Sequence, residues 1–154
     1  AHMLGNEEEI IFAATDLLAD TKLAPELSNE AHYYRAKAYL DAGKTDGAME
    51  DLKVLAKDTR NVYGAEAKYK VAQIYFDGGQ TDKAEQEVLN YIEVSTPHTY
   101  WLARSFVLLA DVYMKLGRNL DAKQYLLSLK QNYQADDDIA GMIESRLEKL
   151  KTEN

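Results

Sequence analysis

Small and large residues recur along this chain on a fixed template. A small residue is followed by a tyrosine three positions on, a glycine after four more, and an alanine after five more. The template occurs as Ala36, Tyr39, Gly43, Ala48, again as Ala72, Tyr75, Gly79, Ala84, and a third time as Ala110, Tyr113, Gly117, Ala122. The second copy lies 36 residues after the first and the third 38 after the second. That period is too long for one ordinary helix. It suits a pair of helices, each pair completing its core on its neighbours. The pattern predicts a first helix closed by the glycine, in the left-handed conformation that only glycine adopts without a Cβ penalty. The second helix follows at once. Thr45 and Asp46, Thr81 and Asp82, and Asn119 are expected to cap it through side-chain oxygens, and Asp82 with Glu85 has capping-box spacing. The first small residue and the last alanine are expected where the two helices cross, because nothing larger than a methyl lets backbones approach to about 8–10 Å.

These residues resemble the tetratricopeptide repeat family, whose pattern adds a large apolar residue four positions after the last alanine. Leu52, Val88 and Leu126 fill that place. Two departures mark the repeats as degenerate. The early tryptophan of the family is His32, Lys68 and Phe106, and the proline after the second helix is Arg60, Thr96 and Gln134. The resemblance implies an all-α fold, a right-handed α–α superhelix of about eight helices. The repeat length, slightly over the common 34, is similar to that of bacterial envelope members of the family, which implies the cell envelope or periplasm, with the cytoplasm as the alternative.

The same template sets the organisation of the chain. Residues 1–5 read as a tag remnant with a disordered start. Ala13, Leu17 and Pro25 match a second-helix alanine, its large apolar partner and a closing proline, so 6–27 reads as the back half of a truncated repeat. Repeats then span 28–61, 62–97 and 98–135. A capping helix over 136–154 is opened by Asp136, Asp137 and Asp138, with Ile139, Met142, Ile143, Leu147 and Leu150 at helical spacing. The whole reads as an excised piece of a longer repeat protein.

The resemblance also implies that the first helices line an inner, concave wall. A helical wheel puts Tyr33, Tyr69 and Val107 on one face with Leu40, Phe76 and Met114, an apolar stripe. Lys37, Lys70, Gln73, Arg104 and Asp111 lie beside it, with Glu30, Glu66, Asp41 and Asp77. Rigid aromatics lose little entropy on binding, which makes this face the candidate partner site. Packing of the same residues on adjacent repeats is the alternative for Tyr33, Leu40, Tyr69 and Phe76. Tyr39, Tyr75 and Tyr113 are expected in the core between the helices, and Trp101 is expected to pack against Tyr91, with a role in partner contact as the alternative. Lys37, Lys70 and Arg104 stand where members that grip chaperone carboxylates carry basic residues or asparagines. Tyr33 and Leu108 break that pattern, and solvated helix faces are the simpler reading.

Composition narrows the function without naming it. With 46% hydrophobic residues and two prolines, the chain reads as a helical domain lacking a membrane span. It has no cysteine, which excludes disulfides, thiol chemistry and cysteine-ligated zinc. A net charge of −8 and a pI near 4.9, with no basic run, argue against nucleic acid and against an anionic membrane surface. Gly43, Lys44 and Thr45 end like a phosphate-binding loop, but Ala38 stands where an earlier glycine is required. His32 and His98 lack a histidine partner one helical turn away, and no metal or other cofactor is expected. The reading is a non-catalytic scaffold that binds a protein or peptide segment. A rigid spacer of a larger envelope protein, or a helical accessory domain of an enzyme whose active site lies elsewhere, is the alternative.

Overall fold

The computed structural model describes residues 2–94 and 96–152, with side chains from Gly5 onward. Ala1 of the expected leader and the last two residues of the expected capping unit lie outside the described residues. Among the described residues there are eight α-helices and no strand: α1 His2–Leu18, α2 Pro25–Asp41, α3 Thr45–Leu55, α4 Val62–Asp77, α5 Thr81–Glu93, α6 Thr99–Lys115, α7 Asn119–Asn132 and α8 Ile139–Thr152. The first helix thus begins ahead of residue 6, where a disordered leader was expected to end. Helices α2 and α3, α4 and α5, and α6 and α7 form three pairs, with α1 packed on α2 and α8 on α7. Helices α2, α4, α6 and α8 also touch in sequence as one row, whereas no two of α1, α3, α5 and α7 meet among the described residues. The result is a two-layer α-solenoid.

Each hairpin turn is the same hydrogen-bonded device. Gly43, Gly79 and Gly117 have φ of 75°, 79° and 76°, the left-handed region that favours glycine. The amide of the following residue donates back to the repeat tyrosine's carbonyl: Lys44 to Tyr39 at 2.7 Å, Gln80 to Tyr75 and Arg118 to Tyr113 at 2.8 Å. The glycine amides donate to Leu40, Phe76 and Met114, completing a Schellman motif in which otherwise orphan carbonyls are satisfied. The motif displaces the expected caps. Lys44, Gln80 and Arg118 occupy the N-cap positions without a side-chain cap bond, so Thr45, Thr81 and Asn119 already lie inside their helices, and the Asp82–Glu85 capping box does not form. A turn this tight leaves no free residue between one helix's C-cap machinery and the next helix's first turn. At the other end of the chain Asp137 does cap, its Oδ1 accepting from the Ile139 amide at 2.9 Å.

The alanines sit as the template requires. Ala36, Ala48, Ala72, Ala84, Ala110 and Ala122 are all buried, with Leu52, Val88 and Leu126 beside them. Tyr113 is buried, whereas Tyr39 and Tyr75 are only partly buried, packed against the core from its edge. In α1 the register differs by one residue from the expected one. Ala14, not Ala13, is buried; Glu7 is buried with it, Ile11 and Leu18 are partly covered, and Leu17 is exposed. Ala13–Leu17 and Ala14–Leu18 share the same spacing, so the template alone does not distinguish them. Gly64 has a separate role: a Cβ there would lie 1.9 Å from the Asp58 carbonyl oxygen, so glycine lets the first turn of α4 sit on the end of α3.

Where the family's tryptophan is missing, each pair has a matched substitute. His32 meets Asp51 at 2.8 Å, Lys68 meets Glu87 at 2.7 Å, and the Phe106 and Tyr125 rings lie 6.3 Å apart. These are equivalent positions in the three units, joining first helix to second. Asp51 is 1% exposed and also accepts from Arg35 Nε at 2.8 Å and Nη2 at 2.6 Å, while Arg35 Nη1 reaches Thr15 of α1. A buried carboxylate this well paired is not left stranded.

Two measurements test this packing. Ala84, 0% exposed, has no room for added methylenes, so Ala84→Leu is expected to cost about 1–3 kcal/mol in denaturant unfolding; an unchanged midpoint contradicts its place at the helix crossing. Burial pushes Tyr91 up to about 12, and burial with the Glu66 carboxylate pushes Tyr33 up to about 12, from an ordinary 10.0. The folded state therefore holds protons that the unfolded chain releases. Stability present below pH 10 falls as pH rises toward 12, and alkaline unfolding followed by circular dichroism over that window checks it.

Candidate functional site

The row α2–α4–α6–α8 carries the side chains singled out in the sequence, and several of them are tied across it. Tyr33 on α2 donates its hydroxyl to both oxygens of Glu66 on α4, each at 3.1 Å. One unit further on, Arg104 Nη2 on α6 donates to the Tyr69 hydroxyl on α4 at 3.1 Å. Glu66 and Arg104 are equivalent positions, as are Tyr33 and Tyr69, so one bridge is built twice with its polarity inverted. At the last joint Val107 replaces the tyrosine, and Arg146 on α8 instead grips Asp111 on α6 through Nε at 2.8 Å and Nη2 at 3.0 Å, a bidentate pair.

These ties decide which residues face a partner. Lys70 is paired with Glu66, and Lys37 lies over the Tyr33 ring at 5.9 Å. The Arg104 guanidinium lies 4.8 Å from the centre of the Tyr69 ring and 5.7 Å from that of Trp101. Lys70 and Arg104 are therefore internal braces, whereas Lys37 is exposed and lies over a ring of its own helix. Gln73 accepts from the Tyr69 hydroxyl and donates to Asp77, both at 2.8 Å. Trp101 packs on Tyr69 at 5.6 Å and Tyr100 at 5.0 Å, in place of the expected Tyr91, whose hydroxyl donates to the Ala65 carbonyl. Tyr69 and Val107, at 6% and 3% exposure, belong to the core. Residues so deeply covered do not line an open wall, which corrects the apolar stripe at two of its six positions. Tyr33, Leu40, Phe76 and Met114 are partly buried and retain surface.

The remaining groups gather at two hollows. Phe76, Asp111 and Met114, all singled out in the sequence, line an open cavity of about 590 Å³ with Lys115 and with Ser145, Arg146 and Lys149 of α8. That volume lies within the range of sites that take small ligands or side chains. Leu40 lines a second hollow of about 590 Å³ between the first two pairs, with Met49, Ile74, Tyr75, Asp46 and Asp77. Sequence reasoning missed the α8 contribution because it treated that helix only as a lid. The signal was available beside the apolar side of α8, where Ser145, Arg146 and Lys149 fall on one flank of Ile139 and Ile143. Among the described residues no cluster of three His, Asp or Glu side chains is placed to hold a metal ion, and no helix is long and apolar enough to cross a membrane.

Stacked helix pairs with this turn and this alanine crossing define a tetratricopeptide-like α-solenoid. Two segments match models of the tetratricopeptide repeat, residues 30–58 and residues 103–132; they fall on the first and third helix pairs. No curated protein and no solved structure matches the chain.

The burial difference within the row is measurable. Tyr69→Ser is expected to cost about 3 kcal/mol or more, as for other buried aromatics, and Phe76→Ser markedly less, read from urea midpoints. Equal losses would contradict the placement of one of the two.

Proposed function

We propose that this chain is a non-catalytic interaction scaffold that binds a protein segment along the row α2–α4–α6–α8. Tetratricopeptide-like solenoids generally serve protein–protein contact. The observation that carries the reading is the open cavity at the α4–α6–α8 joint, where Phe76 and Met114 keep apolar surface in a wall otherwise braced by its own hydrogen bonds. Preformed walls bind without the cost of ordering themselves. The repeat periods of 36 and 38 residues support the further reading that the chain serves within a larger bacterial envelope protein.

Panning a phage library of short random peptides against the folded chain tests the groove. The expected outcome is an enriched sequence motif whose binding is lost on the Phe76→Ser, Met114→Ser variant, provided that circular dichroism shows the variant folded. Absence of any enriched motif, or capture that ignores the two substitutions, removes the groove and leaves a rigid spacer as the better account.

A further inference from the structure

Charge is distributed unevenly among the residues of the first-helix row. Its lysines and arginines are Arg35 and Lys37 on α2, Lys68 and Lys70 on α4, Arg104 and Lys115 on α6, and Arg146, Lys149 and Lys151 on α8. Arg35, Lys68, Lys70, Arg146 and Lys151 are paired with carboxylates. Lys37 and Arg104 lie over aromatic rings. Among the described residues only Lys115 and Lys149 of this set have neither kind of partner, and both line the same cavity. The repeat sharpens the contrast. Lys115 is the third-unit equivalent of Asp41 and Asp77, so the position reverses sign where the cavity opens.

We propose that the cavity at the α6–α8 joint receives a carboxylate of the bound segment, so that the partner carries an acidic group next to an apolar side chain. This rests on the reading of the row as a binding wall. Three cations face one carboxylate here, and that carboxylate, Asp111, is already engaged by Arg146. The Lys115 and Lys149 ammonium groups are left to a ligand, in a chain whose net charge is −8 and whose general field repels anions. Along this row, favourable charge gathers in this hollow and acts within a Debye length of about 8 Å at physiological salt. Phe76 and Met114 supply the apolar floor, Met114 as an adaptable contact. The hollow lined by Leu40 has the opposite character, with Asp46 and Asp77 and no cation, so it does not compete for an acidic group. The carboxylate is an Asp or Glu side chain of the segment, because Lys115 and Lys149 are point charges on separate helices and no asparagine stands among the lining residues to fix a chain terminus.

The experiment uses the peptides enriched by panning, synthesised with their acidic residues or with Asn and Gln in their place, each with a free or amidated C-terminus, and measured by fluorescence polarisation. The proteins are the native chain and the Lys115→Gln, Lys149→Gln variant. Both lysines are exposed, so the helical signal is expected to stay unchanged. The expected result is enriched peptides bearing acidic residues, bound about tenfold more weakly by the variant and weakened by Asn and Gln replacement. The native advantage should shrink as salt rises from about 50 to about 300 mM. Loss on amidation alone, with Asn and Gln tolerated, overturns the side-chain assignment. Enriched peptides that lack any need for a carboxylate, or that bind both proteins equally, overturn the proposal. If such peptides still fail on the Phe76→Ser, Met114→Ser variant, the groove stands without its acid preference. If no peptide is enriched, both readings fall together.

Discussion

The close crossing of paired helices over buried alanines is the constraint on which the rest of this fold depends. Ala36 and Ala48, Ala72 and Ala84, and Ala110 and Ala122 present nothing larger than a methyl at the crossing. Once the two backbones are that near, the tight glycine turn fixes their relative register. Residues 19 apart then face each other in every unit, and His32–Asp51, Lys68–Glu87 and Phe106–Tyr125 all occur at that separation. Different chemistry fills one geometric slot. Loss of the family's tryptophan is therefore no loss of the contact, because the second helix supplies a partner suited to whatever the first helix presents.

Stacking of the pairs follows a second rule, visible only in three dimensions. Each joint along the row has its own polar tie: Tyr33 to Glu66, Arg104 to Tyr69, and Arg146 to Asp111. Hydrogen bonds to ionised groups are stronger than neutral ones, and here they add to the apolar core that α4, α6 and α8 share. The ties engage Glu66, Arg104, Asp111 and Arg146 among the charged side chains on the wall. What is left to a partner is small and specific, and its position is set by which side chains the neighbouring helix does not engage.

Much of the architecture was legible in the sequence because it rests on spacing. Gly43, Gly79 and Gly117 announced three turns, and the alanines announced three crossings. Less legible was anything decided by an exact boundary. Thr45, Thr81 and Asn119 are good capping residues, yet the Schellman bond already occupies the amide one position earlier. Ala13 and Ala14 both fit the truncated-repeat pattern, and only packing on α2 selects Ala14. The candidate wall was legible as a face but not in its depth. Tyr69 and Phe76 lie on one helical face two turns apart, yet Tyr69 is pinned beneath Arg104 and Trp101 while Phe76 opens onto the cavity. Periodicity identifies a side of a helix; it does not say how far the next helix covers it.

Helix α8 shows how stability and recognition share one element. Ile139, Ile143 and Leu150 close the large core, and the exposed positions of the same helix include Glu144, Ser145, Glu148 and Lys149, the polar outer face that a terminal unit of a solenoid needs. Ser145 and Lys149 at the edge of that face, with Arg146 nearer the core side, form one wall of the cavity. Arg146 belongs to both tasks, since its grip on Asp111 holds α8 against α6 and at the same time engages the one carboxylate among the residues lining the cavity. The cavity therefore exists only while the cap is docked, and its charge is positive because of how the cap is docked.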